Sequence, residues 1–308
     1  TDRSRGLGDV YKRQVQDVSA SILPYYAEVA QNTERAKACL AQREEPPQTI
    51  GEQCFAPYGC AYWQYCARDL PCPNVFDLYR LSVKKACEYL RRGIVSFSDI
   101  VKSGIPLSKA QQRQVEFEQL ELPTHIDRLG VRSFLETLRY PLCFLDFETF
   151  QTGMPLYDGL KPYQQVPFQY SLHILENQDA PLVHRDFLAD ENSDPRRALA
   201  ERLIADLPKG ACVLAYNKGF ECGRLKELAE TFPDLSEKLL AICENVRDLL
   251  DVFRKGYVYD RAMGGSFSIK KVLPALFPKN ANLDYHNLAD VHNGSEATDT
   301  YLALRGME

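Results

Sequence analysis

The sequence predicts an α/β protein: a mixed β-sheet with flanking helices in the C-terminal half, preceded by a mainly helical region. Three observations predict it. Four short runs, 141–150, 168–175, 183–188 and 212–216, have the length and the aromatic or β-branched content of strands. Stretches with apolar residues at helical spacing follow them, after Asp194 and after Asn217. From Val15 to Arg139 the apolar positions recur at helical spacing, apart from one cysteine-rich loop.

The chain of 308 residues is long enough for two or three units and at least one sizeable core. Its 45% hydrophobic and 26% charged residues are ordinary for a water-soluble globular protein, and no apolar run approaches a membrane span. Ten cysteines, too sparse for a disulfide scaffold, predict a reducing cytoplasmic setting in which clustered thiols bind metal. A net charge of -5 excludes a protein that grips nucleic acid by bulk electrostatics. It does not exclude a nuclease, whose acidic centre is neutralised by cations and whose basic residues are local.

Taken in order, Asp9-Val10-Tyr11-Lys12-Arg13-Gln14 is similar to a translated transposon adapter, so residues 1–14 are set apart from the fold as foreign sequence. Val18, Ile22, Tyr25, Tyr26 and Val29 then mark a helix that Pro24 kinks or divides. A polar helical stretch runs to about Arg43, and Pro46-Pro47 breaks it. Cys54, Cys60, Cys66 and Cys72 follow at intervals of six, on a loop shaped by Pro57, Gly59 and Pro71. Four thiolates can converge on a zinc ion or an iron–sulfur cluster, and this spacing is wider than that of common zinc pairs. Isolated buried thiols would explain the same residues without a ligand. Cys39, Cys87, Cys143, Cys212, Cys222 and Cys243 read as core.

Between 74 and 139 short helices are expected, with Gly93 ending one and Ser98-Asp99 and Ser108 as caps. Lys84, Lys85, Arg91 and Arg92 suit either a solvated face or a contact to a DNA backbone.

The run 141–150 is the one on which the functional reading turns. Asp146 and Glu148 interrupt an apolar strand, and alternation puts both on one face, roughly 6.6 Å apart. Two carboxylates that close repel, and a divalent cation with oxygen ligands, Mg²⁺ or Mn²⁺, relieves the repulsion. A strand end in open water would relieve it too. The strands 168–175 and 183–188 suit an antiparallel meander with the first, Asp194-Pro195 opens a helix on Leu199, Leu203 and Leu207, and 212–216 returns beside the first strand. That is the element order of an RNase H-like core.

Asn217 is placed to cap the next helix, on which Glu221 heads the buried stripe of Leu225 and Leu228. A metal explains a carboxylate there; so does the helix dipole, which favours an acid in the first turn. Asp248 reads as a cap before Leu249, with support of the site as the alternative. Gly264-Gly265-Ser266 leads into a helix whose first turn, with Lys270 or Lys271, can meet a phosphate. Near the end, His292 stands four residues before Glu296 and seven before Asp299. Glu296 is the expected fourth carboxylate, with Asp299 the alternative and a capping box with Asn293 the ordinary explanation. His292 can serve as general base, since imidazole titrates near neutrality. Phe150 and Tyr157 are candidates to stack on a base.

Two resemblances accompany these readings. Phe144-Leu145-Asp146-Phe147-Glu148-Thr149 and Asn217-Lys218-Gly219-Phe220-Glu221 resemble the first two motifs of the DnaQ-like (DEDD) 3′-5′ exonucleases, with Glu where the second motif usually has Asp. The family's third motif sets Tyr four, or His five, residues before a helical Asp, a spacing that neither Glu296 nor Asp299 reproduces. Cys54, Cys60 and Cys66 resemble the distal cysteines of RecB-like iron–sulfur nucleases, whose fourth cysteine lies far upstream. Joined, they resemble a group of bacterial proteins that couple the two domains. The resemblance implies an exonuclease domain at 140–308, a helical spacer at 74–139, and at 15–73 the tail of an iron–sulfur nuclease whose beginning is missing. It further implies two Mg²⁺ or Mn²⁺ ions at Asp146, Glu148, Glu221 and Glu296 or Asp299. A 4Fe–4S cluster, incomplete in this fragment, and a single-stranded 3′ end of DNA or RNA as partner are implied as well. Glu-for-Asp replacement suits a second outcome, a degenerate domain that binds nucleic acid or a partner without cutting.

Overall fold

A computed structural model describes residues 17–45, 47, 49–280, 283 and 294–304. The chain divides into two compact units, 1–69 and 70–308. No described helix is long and apolar enough to cross a membrane.

In the first unit, a helical turn at Ser19–Ile22 and a 3₁₀ turn at Leu23–Tyr25 precede α1, Tyr26–Leu40. Pro24 falls in the 3₁₀ turn, so the predicted division of the helix occurs where proline lacks an N–H to donate. The apolar residues of the predicted stripe, Val18 to Val29, are exposed. The cysteine-rich loop is closed by the bond from the Cys60 N–H to the Cys54 carbonyl (2.8 Å) and by Phe55 against Trp63, with ring centroids 4.6 Å apart.

The second unit opens with four helices, α2 (Val83–Arg91), α3 (Phe97–Ser103), α4 (Lys109–Gln119) and α5 (Arg128–Leu135). Ser108 caps α4 as expected; α3 is capped by Ser96 in a box with Asp99, not by the expected Ser98. Gly93 ends the turn after α2 at φ 75, the left-handed conformation glycine adopts without strain. Val75, Leu78, Ala86, Phe97, Ile100 and Val115 form the core of this region.

The remainder is a mixed sheet with helices. Its strands are β1 (Leu142–Phe150), β2 (Val166–Leu175), β3 (Val183–Leu188), β4 (Cys212–Ala215) and β5 (Val246–Asp248), in the order β3-β2-β1-β4-β5. β1, β2 and β3 pair antiparallel, whereas β1–β4 and β4–β5 are parallel. The meander and the return of the fourth run beside the first are as the sequence predicts. β5 is not among the four strands the sequence predicts; three residues carry too little alternation to declare a strand, and parallel pairing to β4 makes it one. A separate two-residue ribbon pairs His125–Ile126 with Val258–Tyr259.

Helices α6 (Pro195–Asp206), α7 (Gly219–Thr231) and α8 (Ser236–Glu244) cover one face of the sheet, burying Leu199, Leu203, Leu225, Leu228 and Leu239 against Leu145, Phe147 and Leu172. On the other face Leu142, Cys212 and Leu214 pack under Phe134 of α5 and Leu138. The short helix α9 (Leu250–Arg254), α10 (Ile269–Leu276) and α11 (Gly294–Leu304) complete the chain. Tyr301 of α11 stacks on Phe168 with centroids 4.0 Å apart, beside Phe150.

Of the cysteines assigned to core, Cys87, Cys143 and Cys212 are buried and Cys222 and Cys243 half-buried; Cys39, near the end of α1, is exposed instead.

Candidate active site

Alternation along β1 turns Leu145 and Phe147 into the core and leaves Asp146 and Glu148 together on the opposite face. β4 pairs with β1 only as far as Phe144 opposite Leu214. The two acids therefore stand past the end of β4, where its chain turns away into α7. Crevices at the carboxyl ends of parallel strands, where the order of connection reverses, are where open α/β sheets place ligands. A break in the β1–β2 register directly after Glu148 adds a local kink at the same point.

The turn from β4 into α7 is built around Asn217 at φ 74, a left-handed conformation asparagine tolerates. Its N–H donates to Oδ1 of Asp248 (2.8 Å), which also accepts from the Leu250 N–H (3.1 Å). Asp248, buried at the end of β5, thus fixes where α7 begins, and the expected side-chain cap by Asn217 is absent. Asn217 serves through its backbone N–H.

Glu221 lies in the first turn of α7 and is 2% exposed, on the face of Leu225 and Leu228 as predicted. Its Oε2 is buried and has no hydrogen-bond partner among the described residues. Burial pushes its pKa up to about 7; the charges of Asp146 and Asp248 add to the rise, against its own backbone N–H. Glu148 is also raised, by burial first and by Asp146 second, with Lys270 opposing. Asp146 reaches solvent, yet surrounding protein atoms strip enough water from its carboxyl to raise it too. Three acids thus share one field, and each is harder to ionise than in water.

α11 borders the same face of the sheet. Thr298 Oγ1 donates to the Thr149 carbonyl (2.8 Å), and a Cβ added to Gly294 would lie 3.1 Å from Oε2 of Glu148. A cleft of about 580 Å³ is lined by Glu148, Thr149, Gln151, Gln165, Phe220 and Asp299, among others. Asp299, the alternative in the sequence reading, faces this cleft; the preferred Glu296 is half-buried three residues earlier and is not among the described residues that line it. Helix phase decides the difference: with Thr298 and Tyr301 seated on the sheet, Asp299 falls beside Thr298 at the rim. His292 and Asn293 lie outside the described residues. Among the described residues no three His, Cys, Asp or Glu side chains are gathered closely enough to enclose a metal ion.

Phe150 is 1% exposed and packs in the aromatic cluster under α11, and Tyr157 donates to the Ser193 carbonyl (2.6 Å), so neither is presented as a free stacking platform. The residues the sequence reading underrated are Asp248, Thr298 and Lys270. Asp248 had one signal, an acid next to a short valine-led run that turned out to be a strand.

Cys54, Cys60 and Cys66 line one cavity of the first unit together with Cys39; Cys72 belongs to the second unit.

Residues 143–268 match a family described as a Domain of unknown function (DUF2779). The match spans Asp146, Glu148, Glu221 and Asp248 and stops before α11. The chain is 26% identical over 186 residues to the uncharacterized protein MG366 homolog of Mycoplasma pneumoniae, covering 56% of this chain and 28% of that protein. It is 26% identical over 187 residues to the uncharacterized protein MG366 of Mycoplasma genitalium (52% and 26%). Against the uncharacterized protein UU173 of Ureaplasma parvum it is 28% identical over 157 residues (47% and 22%). The chain spans about a quarter of the length of these curated relatives. No solved structure matches it significantly.

Proposed function

We propose that the second unit is an RNase H-like, metal-dependent 3′-5′ exonuclease domain that hydrolyses phosphodiester bonds of DNA or RNA. The observation that carries the proposal is Glu221: a buried carboxylate with an unpartnered oxygen, in the electrostatic reach of Asp146 and Asp248. A protein rarely keeps such a group unless it has a ligand to satisfy it. The sheet order β3-β2-β1-β4-β5 with antiparallel β2 supports the RNase H-like reading.

The donor set is all oxygen and fits a hard divalent cation. Asp146, Glu148, Glu221 and Asp299 would hold Mg²⁺ or Mn²⁺, which when bound supplies a hydroxide nucleophile and stabilises the departing 3′ oxygen. The remaining steps belong to the chain. Asp248 holds Asn217 and so aims the first turn of α7; Thr298 holds α11 against β1; Lys270 offsets the charge of Glu148 and is placed to meet a phosphate oxygen. Bound cations would offset the charge of these acids, which would otherwise repel a polyanion. In the first unit, the proposed iron–sulfur cluster takes Cys54, Cys60 and Cys66, with Cys39 as the thiol of the same unit that lines their cavity.

One observation favours the second reading, a degenerate domain that binds without cutting: the acids are not gathered to ligating distance among the described residues. A single assay separates the two. A 5′-labelled single-stranded oligonucleotide incubated with the protein and Mn²⁺ is expected to shorten stepwise from its 3′ end. Retention on the protein with no shortening in any divalent cation would establish the binding module instead.

A further inference from the structure

Asn217, whose turn sets Glu221 in place, also lines a second cleft. That cleft, of about 400 Å³, includes Arg80, Arg254, Ser266 and Ser268. We propose that it is a subsite for a backbone phosphate of the polynucleotide, one or two nucleotides away from the bond that is cut. This rests on the nuclease reading, and it names how the same site holds its substrate.

The walls of the cleft are held by buried contacts. Gln114, buried on α4, accepts from the Tyr79 N–H through Oε1 (2.8 Å). Through Nε2 it donates to the carbonyls of Asp77 (2.8 Å) and Gly264 (3.1 Å). One side chain therefore ties the segment before Arg80 to the turn before Ser266. Gly265 sits at φ 77, and a Cβ there would fall 2.5 Å from the Gln114 amide, so the close approach requires glycine. Gln111 secures the Tyr79 carbonyl (2.8 Å), the Tyr79 and Phe267 rings lie 4.9 Å apart, and Tyr216 donates its hydroxyl to the Phe267 carbonyl (2.6 Å). Arg80 itself is held at φ 51, an uncommon conformation for a non-glycine residue.

Against these fixed walls the two guanidinium groups are exposed and weakly engaged. Among the described residues Arg254 pairs with Asp251 at 3.7 Å, and that carboxylate also takes Lys255 at 3.2 Å. Arg80 has no carboxylate partner among the described residues and lies 5.5 Å from the Tyr79 ring. Two planar cations and two serine hydroxyls around one concavity suit the tetrahedral oxyanion of a phosphate better than a carboxylate or a neutral ligand. The link to the acids is short: Asn217 stands two residues before α7, and Glu221 lies in the first turn of that helix. In a chain of net charge -5 whose site gathers acids, a polyanion needs local cations to approach at all. Arg80 and Arg254 supply them beside the turn that leads to the site.

The test compares the full chain carrying Asp146→Asn, which spares the probe from hydrolysis, with the same chain carrying Arg80→Gln and Arg254→Gln as well. Anisotropy of a fluorescein-labelled single-stranded oligonucleotide is expected to report about tenfold weaker binding in the triple variant. The slope of log Kd against log salt should fall by about 0.7 to 1.4, the share of one or two phosphates on a single strand. Both arginines are exposed, and an unchanged melting temperature confirms that the fold is retained. Equal affinity and equal slope overturn the subsite, as does an absence of oligonucleotide binding to either chain. In the active background, Arg80→Gln with Arg254→Gln is expected to raise KM for the oligonucleotide and leave a chromogenic thymidine ester, too short to reach the cleft, unaffected; equal loss on both substrates overturns it. Loss of binding on arginine replacement, in a protein that never hydrolyses either substrate, would support the subsite and contradict the nuclease reading, so the two failures are distinct.

Discussion

The hydroxyl of Thr298 donates to the backbone carbonyl of Thr149 at 2.8 Å, and this bond fastens the last described helix to the strand that carries Asp146 and Glu148. It joins residues 149 positions apart, at the register break that follows Glu148. Replacing Thr298 with valine keeps the shape and removes the donor. About 1 kcal/mol of stability should be lost, read by urea unfolding. Nuclease activity should fall by tenfold or more, because the helix that presents Asp299 loses its tether.

Asp299 and Glu296 are separable. Asp299→Asn is expected to reduce hydrolysis by at least a hundredfold, whereas Glu296→Gln retains activity within a fewfold. Steady-state rates on one labelled oligonucleotide decide this, and the reverse order would restore the position favoured by sequence spacing.

Glu221 makes stability depend on pH in a direction opposite to that of most surface acids. Its folded pKa, about 7, lies above the ordinary value of 4.5, so the folded state holds the proton more tightly than the unfolded chain. Stability is therefore full below pH 4.5 as far as this group is concerned, and falls as pH rises from there through 7. The loss is about 3 kcal/mol, since each pKa unit of difference is worth about 1.4 kcal/mol. At roughly 2–4 °C per kcal/mol, thermal unfolding of the wild-type chain should drop by 6–12 °C across that interval. Glu221→Gln should flatten the profile, and Mn²⁺ should raise the wild-type midpoint more at pH 8 than at pH 5.

The sequence carried most of the sheet and half of the site. β1 was legible because two acids interrupt an apolar run, and Glu221 because helix phase puts it among leucines. What was hidden depended on tertiary pairing: β5 is too short to show a period, so of the two roles of Asp248 the bond to the Leu250 N–H was legible and the anchoring of the Asn217 turn was not. Glu296 and Asp299 differ by less than one helical turn, and only the seating of Thr298 and Tyr301 on the sheet shows that Asp299 lines the cleft of Glu148. Phe150 had the composition of a stacking surface and is buried instead, because α11 lays Tyr301 beside it. Cys39 was legible only as an apolar helix residue; its exposure beside the cavity of Cys54, Cys60 and Cys66 is a property of the loop that folds back.

That cavity gives its own expectation. Anaerobically purified protein should contain iron and sulfide; Cys39→Ser should lower both, whereas Cys72→Ser leaves them unchanged. Elemental and sulfide analysis of the three proteins checks it, and equal loss from Cys72→Ser would put the fourth ligand back in the second unit.

Carboxylates distant in sequence are proposed to share bound cations, and manganese binding decides whether they do. Electron paramagnetic resonance of free Mn²⁺ titrated with the wild-type protein at pH 8 is expected to count about two bound ions. Asp146→Ala should abolish that binding and Glu221→Gln should weaken it at least tenfold. Stoichiometric binding that survives Asp146→Ala, or no binding by the wild-type chain at all, would mean that these carboxylates hold no shared cation.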